Sequence, residues 1–176
     1  LLCPQQATDE VKLVEELFKH VATEAFGTLQ FKIGDFQVDL GKNWERYDYR
    51  ETVKKYTGID ILNTDLKEME AKLNELKVHY DRKGFNVTRA IDNLWKYCRR
   101  QISGPGFLTG VPVEVSPLAK KDVANPKLTQ RFQVILAGSE LGNGYSELND
   151  PIDQEERFNE QMKLREAGDE EAQMKD

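Results

Sequence analysis

The chain has 176 residues, 39% of them hydrophobic, and its 31 acidic against 25 basic side chains leave a net charge of −6. That length suits one domain with a real core, and the acidic balance argues against a broad basic surface for nucleic-acid backbones within this segment. Cys3 and Cys98 form no CxxC pair, so neither a disulfide framework nor a zinc knuckle is expected, and a reduced, cytoplasmic compartment is the simplest reading. No apolar run approaches the roughly 20 residues of a membrane span, and the N-terminus lacks a secretory pattern.

In chain order, Val11, Val14, Leu17, Phe18, Val21 and Ala25 recur at three- and four-residue steps and predict a helix over Asp9–Ala25, ended by Gly27. Leu29–Ile33 and Phe36–Leu40 alternate around Gly34-Asp35 and predict a hairpin whose turn has positive φ at its first position. Asp48, with Glu51 three residues on, predicts a capped helix to about Tyr56, stopped by Gly58. Leu66, Met69, Leu73 and Leu76 predict a helix over Asp65–Lys77, and Ile91, Leu94, Trp95 and Cys98 predict another over Val87–Gln101 whose stripe is core.

After the breaker Ser103–Gly106, Phe107–Thr109 and Val113–Val115 read as short strands and Phe132–Ala137 as a longer one. Asp150-Pro151 starts a final helix to about Ala167. The order of elements predicts an α+β fold in three parts: a helix and hairpin over 1–47, a helical insertion over 48–103, and strands with a following helix over 104–176.

The run Gly138–Asp150, GSELGNGYSELND, sets charged groups into a glycine-punctuated strand. Side-chain alternation puts Asn143, Tyr145 and Glu147 on one face as amide, aromatic wall and carboxylate. That row could hold a ligand with an aliphatic stem and a terminal ammonium, as lysine has; the competing reading makes Glu147 a solvated surface charge. Glu140 has the wrong parity to join the row unless a bulge at Gly142 or Gly144 re-aims the strand. Its hard oxygens suit magnesium bridged to nucleotide phosphates, and the residue seven positions earlier, Gln133, is a neutral and therefore weaker ligand. The competing reading again is an ordinary surface pair. His20 and His79 show no metal-ligand spacing, and Arg99, Arg100, Lys120 and Lys121 read as solvated faces.

The run GSELGNGYSELNDPIDQEERFNEQ, followed by LREAGDEEAQM, strongly resembles class II lysyl-tRNA synthetases, whose segment reads like ELNDP.DQ..RF.EQ and then AGD.EAM. Upstream, Phe107-Leu108-Thr109, Pro112 and Ser116–Lys120 resemble that family's F.T..P...SPLAK element, and Leu128–Phe132 its LT.RFE approach to the active-site strand. Gln133 departs from the glutamate usual there, which puts the family's metal arrangement in doubt. The likeness covers Phe107–Met174 closely and Thr8–Gln101 in the order of elements.

The resemblance implies part of an antiparallel class II catalytic sheet with flanking helices and a small helical insertion. It assigns Glu140 to ATP and magnesium (with Gln133 as the doubtful second ligand), Asn143 to the carboxylate of lysine, Tyr145 to its aliphatic stem and Glu147 to its ε-ammonium. It implies ATP and Mg2+ as cofactors, with lysine and tRNA as partners, and a homodimer formed through other regions. Two arginine-bearing motifs would precede Leu1 and follow Asp176, so the segment is expected to be part of a longer chain and inactive alone. A different class of function, a degenerate synthetase-like domain that binds without forming an adenylate, is the alternative that Gln133 motivates.

Overall fold

The first predicted helix forms in the computed structural model, which describes residues 4–169 and residue 172, but it starts earlier and runs as α1, Pro4–Phe26. The hairpin follows as β1, Gln30–Ile33, and β2, Phe36–Asp39, with Ile33 opposite Phe36 across a turn in which Gly34 takes φ +57°. A second sheet has the order β3 (Glu45–Asp48), β4 (Gly106–Thr109), β5 (Arg131–Leu136), β6 (Ser139–Tyr145). Strands β4, β5 and β6 are antiparallel, while β3 joins β4 in parallel. Parallel neighbours need a long crossover. Here it is the helical stretch of α2 (Tyr49–Thr57), α3 (Leu66–Glu75) and α4 (Val87–Arg99). The last helix, α5, is Pro151–Glu166.

The helix starts follow from their caps. Asp48 accepts from the Glu51 amide at 2.9 Å, Asp65 from Glu68 at 2.9 Å, Asn86 from Arg89 at 3.0 Å and Asp150 from Ile152 at 3.0 Å. Each such cap contributes about 1 kcal/mol. Strand β3 escapes the pattern reading because Glu-Arg-Tyr-Asp shows no apolar alternation; among the described residues it pairs on one side only, with β4.

Val113–Val115 is not a strand but a single 3-10 turn. The Val115 and Ser116 amides bond back to Pro112 and Val113, and Arg131 donates to the Val115 carbonyl at 3.4 Å, so the backbone is spent on tight local bonds rather than on a ladder. The end of the AGDEEAQM match, beyond Asp169 and apart from Ala172, lies outside the described residues.

Each face of the larger sheet has its own core. On one side Leu108 and Ile135 meet Tyr49, Val53, Met69, Leu73, Ile91, Leu94, Trp95 and Cys98 from the helical crossover. On the other, Phe107, Val134 and Leu136 meet Val11 and Ala22 of α1 with Val38, Leu40 and Trp44. Rings run through this second core, with Phe18 against Trp44 at 5.6 Å, Trp44 against Phe107 at 5.0 Å and Phe107 against Phe132 at 5.8 Å. Burying each large apolar side chain contributes about 1.5–3 kcal/mol.

A buried guanidinium fastens α5 to the SPLAK segment. Arg157, 5% exposed, grips Asp153 with two bonds of 2.9 Å and donates to the carbonyls of Pro117 at 3.2 Å and Ala119 at 2.7 Å. Lys121 adds a 3.0 Å contact to Asp153. The bonds from Arg157, ahead of those from Lys121, hold the Asp153 carboxyl below its ordinary 3.8 despite the opposing effect of burial.

Arg157→Ala would leave Asp153 and these carbonyls without their donor, and is expected to lower stability by about 3–5 kcal/mol in urea titration; a loss under about 1 kcal/mol would refute the clamp. Because the folded Asp153 titrates below its unfolded value, its contribution is complete above about pH 4 and is lost as pH falls through the folded value. The stability gap between wild type and Asp153→Asn should therefore narrow on acidification from pH 6; a gap that widens would reject this.

Candidate functional site

The β5–β6 hairpin turns on Ala137 and Gly138, with φ of +47° and +72°, so both central residues are left-handed as a two-residue type I′ turn requires. Beyond the turn, Leu136 pairs with Ser139 and Ile135 with Glu140, but Val134 pairs with Gly142. Leu141 is the extra residue. This bulge, next to Gly142 as the glycine pattern suggested, reverses the parity of everything before it. Glu140 therefore shares a face with Asn143 and Tyr145, which stand opposite Gln133 and Arg131. At Gly144 the Phe132 ring lies so close that a Cβ would come within 2.6 Å of it, which keeps the strand flush against the aromatic core.

The bulge delivers Glu140 into a set of donors. One carboxylate oxygen, Oε1, accepts from Trp95 Nε1 at 2.8 Å and from Arg99 Nη1 at 2.8 Å; Oε2 accepts from Gln133 Nε2 at 3.0 Å. Arg99 is thus an ion-paired site residue with a side chain 20% exposed, not the solvated charge expected from its sequence context. Trp95 is core, as expected, and also a site donor. Both sit on α4 more than forty residues away in sequence, and only the α4 helix period, which puts them on one face, could have linked them.

Burial raises the Tyr49 hydroxyl well above its ordinary value, helped by the charges of Asp92 and Glu140. Burial lowers the Arg131 guanidinium, while Glu140 and Tyr145 oppose that shift. Arg131 itself donates to Ser116 Oγ at 2.7 Å. Cys98, buried one turn from Trp95, has its thiol pushed up to about 12 by burial and is a poor nucleophile.

The row read as a lysine site is partly assembled. Asn143 and Tyr145 belong to β6, whereas Glu147 lies past its end, in a bridge with Ala119 that ties the SPLAK segment to the same chain. All three are exposed. Tyr145 borders a cleft of about 670 Å³ with Arg46, Asp122 and Arg131, which Asn143 and Glu147 do not line. A larger cleft of about 940 Å³ lies between α3 and α4, around His79, Arg82 and Asp169, and includes none of the candidate residues.

A magnesium ion shared by Gln133 and Glu140 does not fit this geometry. Both Glu140 oxygens already accept hydrogen bonds, and Gln133 presents its amide nitrogen, not its oxygen, to the carboxylate. Arg99 already pairs with the Glu140 carboxylate, so a dication there would meet guanidinium repulsion that offsets much of the carboxylate's attraction. Among the described residues no group of three or more His, Cys, Asp or Glu side chains is placed to hold a metal.

A family profile described as tRNA synthetases class II (D, K and N) matches residues 5–176. The chain belongs to that family. Its α+β architecture, with an antiparallel β4–β6 core and flanking helices, is that of a class II synthetase domain. It is 44% identical over 170 residues to a lysine–tRNA ligase of Thermosipho africanus, 42% over 170 residues to one of Thermosipho melanesiensis, and 39% over 171 residues to one of Fervidobacterium nodosum. In each case the alignment spans 96% of this chain but 33% of the relative. This synthetase segment therefore covers about a third of the length of the curated proteins it matches. No helix among its described residues is long and apolar enough to cross a membrane.

Trp95→Phe keeps most of the ring volume while removing one donor to Glu140. It is expected to cost about 1.5–3 kcal/mol of stability, the scale of a hydrogen bond to a charged group; an unchanged urea midpoint would show that the bond carries no weight.

Proposed function

We propose that this segment is the middle of the catalytic domain of an ATP-dependent lysine–tRNA ligase, which activates lysine as its adenylate and passes it to tRNA. The observation that carries this reading is the bulged β6 strand, which puts Glu140, Asn143 and Tyr145 on one face. The names of the relatives support the choice of amino acid. Asn143 would receive the carboxylate of lysine, Tyr145 would cover its four-carbon stem, and Glu147 would pair with the ε-ammonium by a charge-assisted bond. Glu140 would lie on the ATP side.

Catalysis in this scheme needs no protein nucleophile. The lysine carboxylate attacks the α-phosphorus of ATP, the α,β-phosphoanhydride bond breaks and pyrophosphate leaves, and the protein contributes alignment and electrostatic stabilisation of the developing charge. The full-length enzyme would act in the cytoplasm as a homodimer joined through regions outside this segment, with its arginine motifs and tRNA-binding parts also outside it. The division into 1–47, 48–103 and 104–176 remains part of the proposal: the middle stretch is the helical insertion, with catalytic core on either side.

A second reading, a synthetase-like domain that binds without activating, is favoured by one feature: the Gln133, Glu140 and Arg99 set carries no net negative charge. Lysine-dependent pyrophosphate exchange by the full-length protein separates the two. The ligase reading expects exchange, and its absence would leave only binding. In an active enzyme Glu147→Gln should weaken lysine selection by about 2 kcal/mol, roughly 30-fold; an unaltered KM for lysine would reject the role given to Glu147.

A further inference from the structure

Three buried side-chain polar atoms have no hydrogen-bond partner among the described residues: Arg99 Nε, Arg131 Nε and Gln133 Oε1. Folded proteins leave few such groups, so each one needs a reason. Arg131 and Gln133 lie on the same face of the sheet as Glu140, and Arg99 reaches that face from α4. Arg99 and Gln133 bond to the Glu140 carboxylate, and Arg131 feels its charge. Gln133 is 7% exposed, so water does not readily relieve its carbonyl.

Charge decides what such a cluster accepts. Arg99 and Arg131 bring two guanidinium groups to the face of the one Glu140 carboxylate, while nearby Asp92 is already paired with Lys96, and such a face suits an anion and repels a dication. Guanidinium forks match phosphate oxygens in geometry as well as in sign. Gln133 Oε1 adds an acceptor for a hydroxyl or amino hydrogen of the same ligand.

We infer that Arg99, held by Glu140 and with Arg131 further along the same sheet face, is the fixed cation that meets a phosphate group of the bound nucleotide here, and that the Gln133–Glu140 pair takes no divalent ion of its own. The inference rests on the reading that this segment belongs to an ATP-using ligase. It makes α4, a helix of the crossover, a direct contributor to nucleotide binding. Gln at position 133 then has a physical rationale, since a carboxylate there would draw Arg99 between two acids and weaken its hold on phosphate.

The test uses the full-length protein and an α,β-methylene analogue of ATP, whose α–β linkage the adenylation step cannot cleave. Calorimetric titration at saturating magnesium reads analogue affinity, and equilibrium dialysis with Mn2+, counted by electron paramagnetic resonance, reads ions bound per subunit. Arg99→Gln should weaken the analogue at least about 10-fold, the scale of one charged hydrogen bond, with part of the loss recovered in Arg99→Lys. Glu140→Gln should leave the Mn2+ count unchanged, whereas the Arg99→Gln/Gln133→Glu double variant should gain one ion.

Analogue affinity within about twofold of wild type in a folded Arg99→Gln, or loss of one Mn2+ in Glu140→Gln, would overturn the inference. Should Arg99→Gln fail to fold, the Glu140→Gln ion count alone decides. Wild-type protein without lysine-dependent exchange rejects the ligase reading separately, because the analogue titration still reports on Arg99.

Discussion

The Glu140 carboxylate, with its side chain 29% exposed, organises the centre of this molecule through the donors gathered on its two oxygens. Its two oxygens take donors from α4 and from β5, and they reach those donors only because Leu141 is squeezed out of register with the opposite strand. Sheet, bulge and crossover helix are therefore coupled at one point. A shift of α4 along its axis would break two bonds to Glu140 at once. Removing the bulge would turn Glu140 to the other side of the sheet, towards the aromatic core.

Packing around that point follows a simple division. The face carrying Leu108 and Ile135 is covered by the crossover helices, and the face carrying Phe107, Val134 and Leu136 by α1 and the strands near it. Polar residues of the candidate site sit where β5 and β6 run on past the shelter of α4, so the chemistry lies at the border of the first core. The Arg157 clamp fixes the outer side of the same border, since Ala119, whose carbonyl it holds, is the residue bridged to Glu147. Residues quoted as motif letters thus have physical tasks. Ser116 receives Arg131, Arg157 closes three carbonyls, and Asp169 pairs with Arg89 at the start of α4.

Local rules made much of this legible in the sequence. Asp48 and Asp150 were read as caps because capping is decided within three residues, and the apolar periods of α1, α3 and α4 were visible for the same reason, although the caps supplied by Asp65 and Asn86 went unread. What was missed depended on distant partners. Glu45–Asp48 is a strand because β4 lies beside it, not because of its own composition. Val113 and Val115 alternate like a strand but are held in a turn by Pro112 and Arg131. Arg99 carries the letters of a surface charge, and nothing within its helix announces Glu140. The bulge itself was foreshadowed by the glycines, although which residue is extruded emerges only from the register with β5.

The placement of the crossover also bears on how the chain reaches this form. Strands β5 and β6 meet through a two-residue turn and can zip together early, whereas β3 must wait for a long helical excursion to return before it finds β4. Entropy makes that late closure slow. Pairing of β3 with β4 thus depends on the docking of α4 against the sheet, whereas the contacts of the β5–β6 hairpin are local and do not.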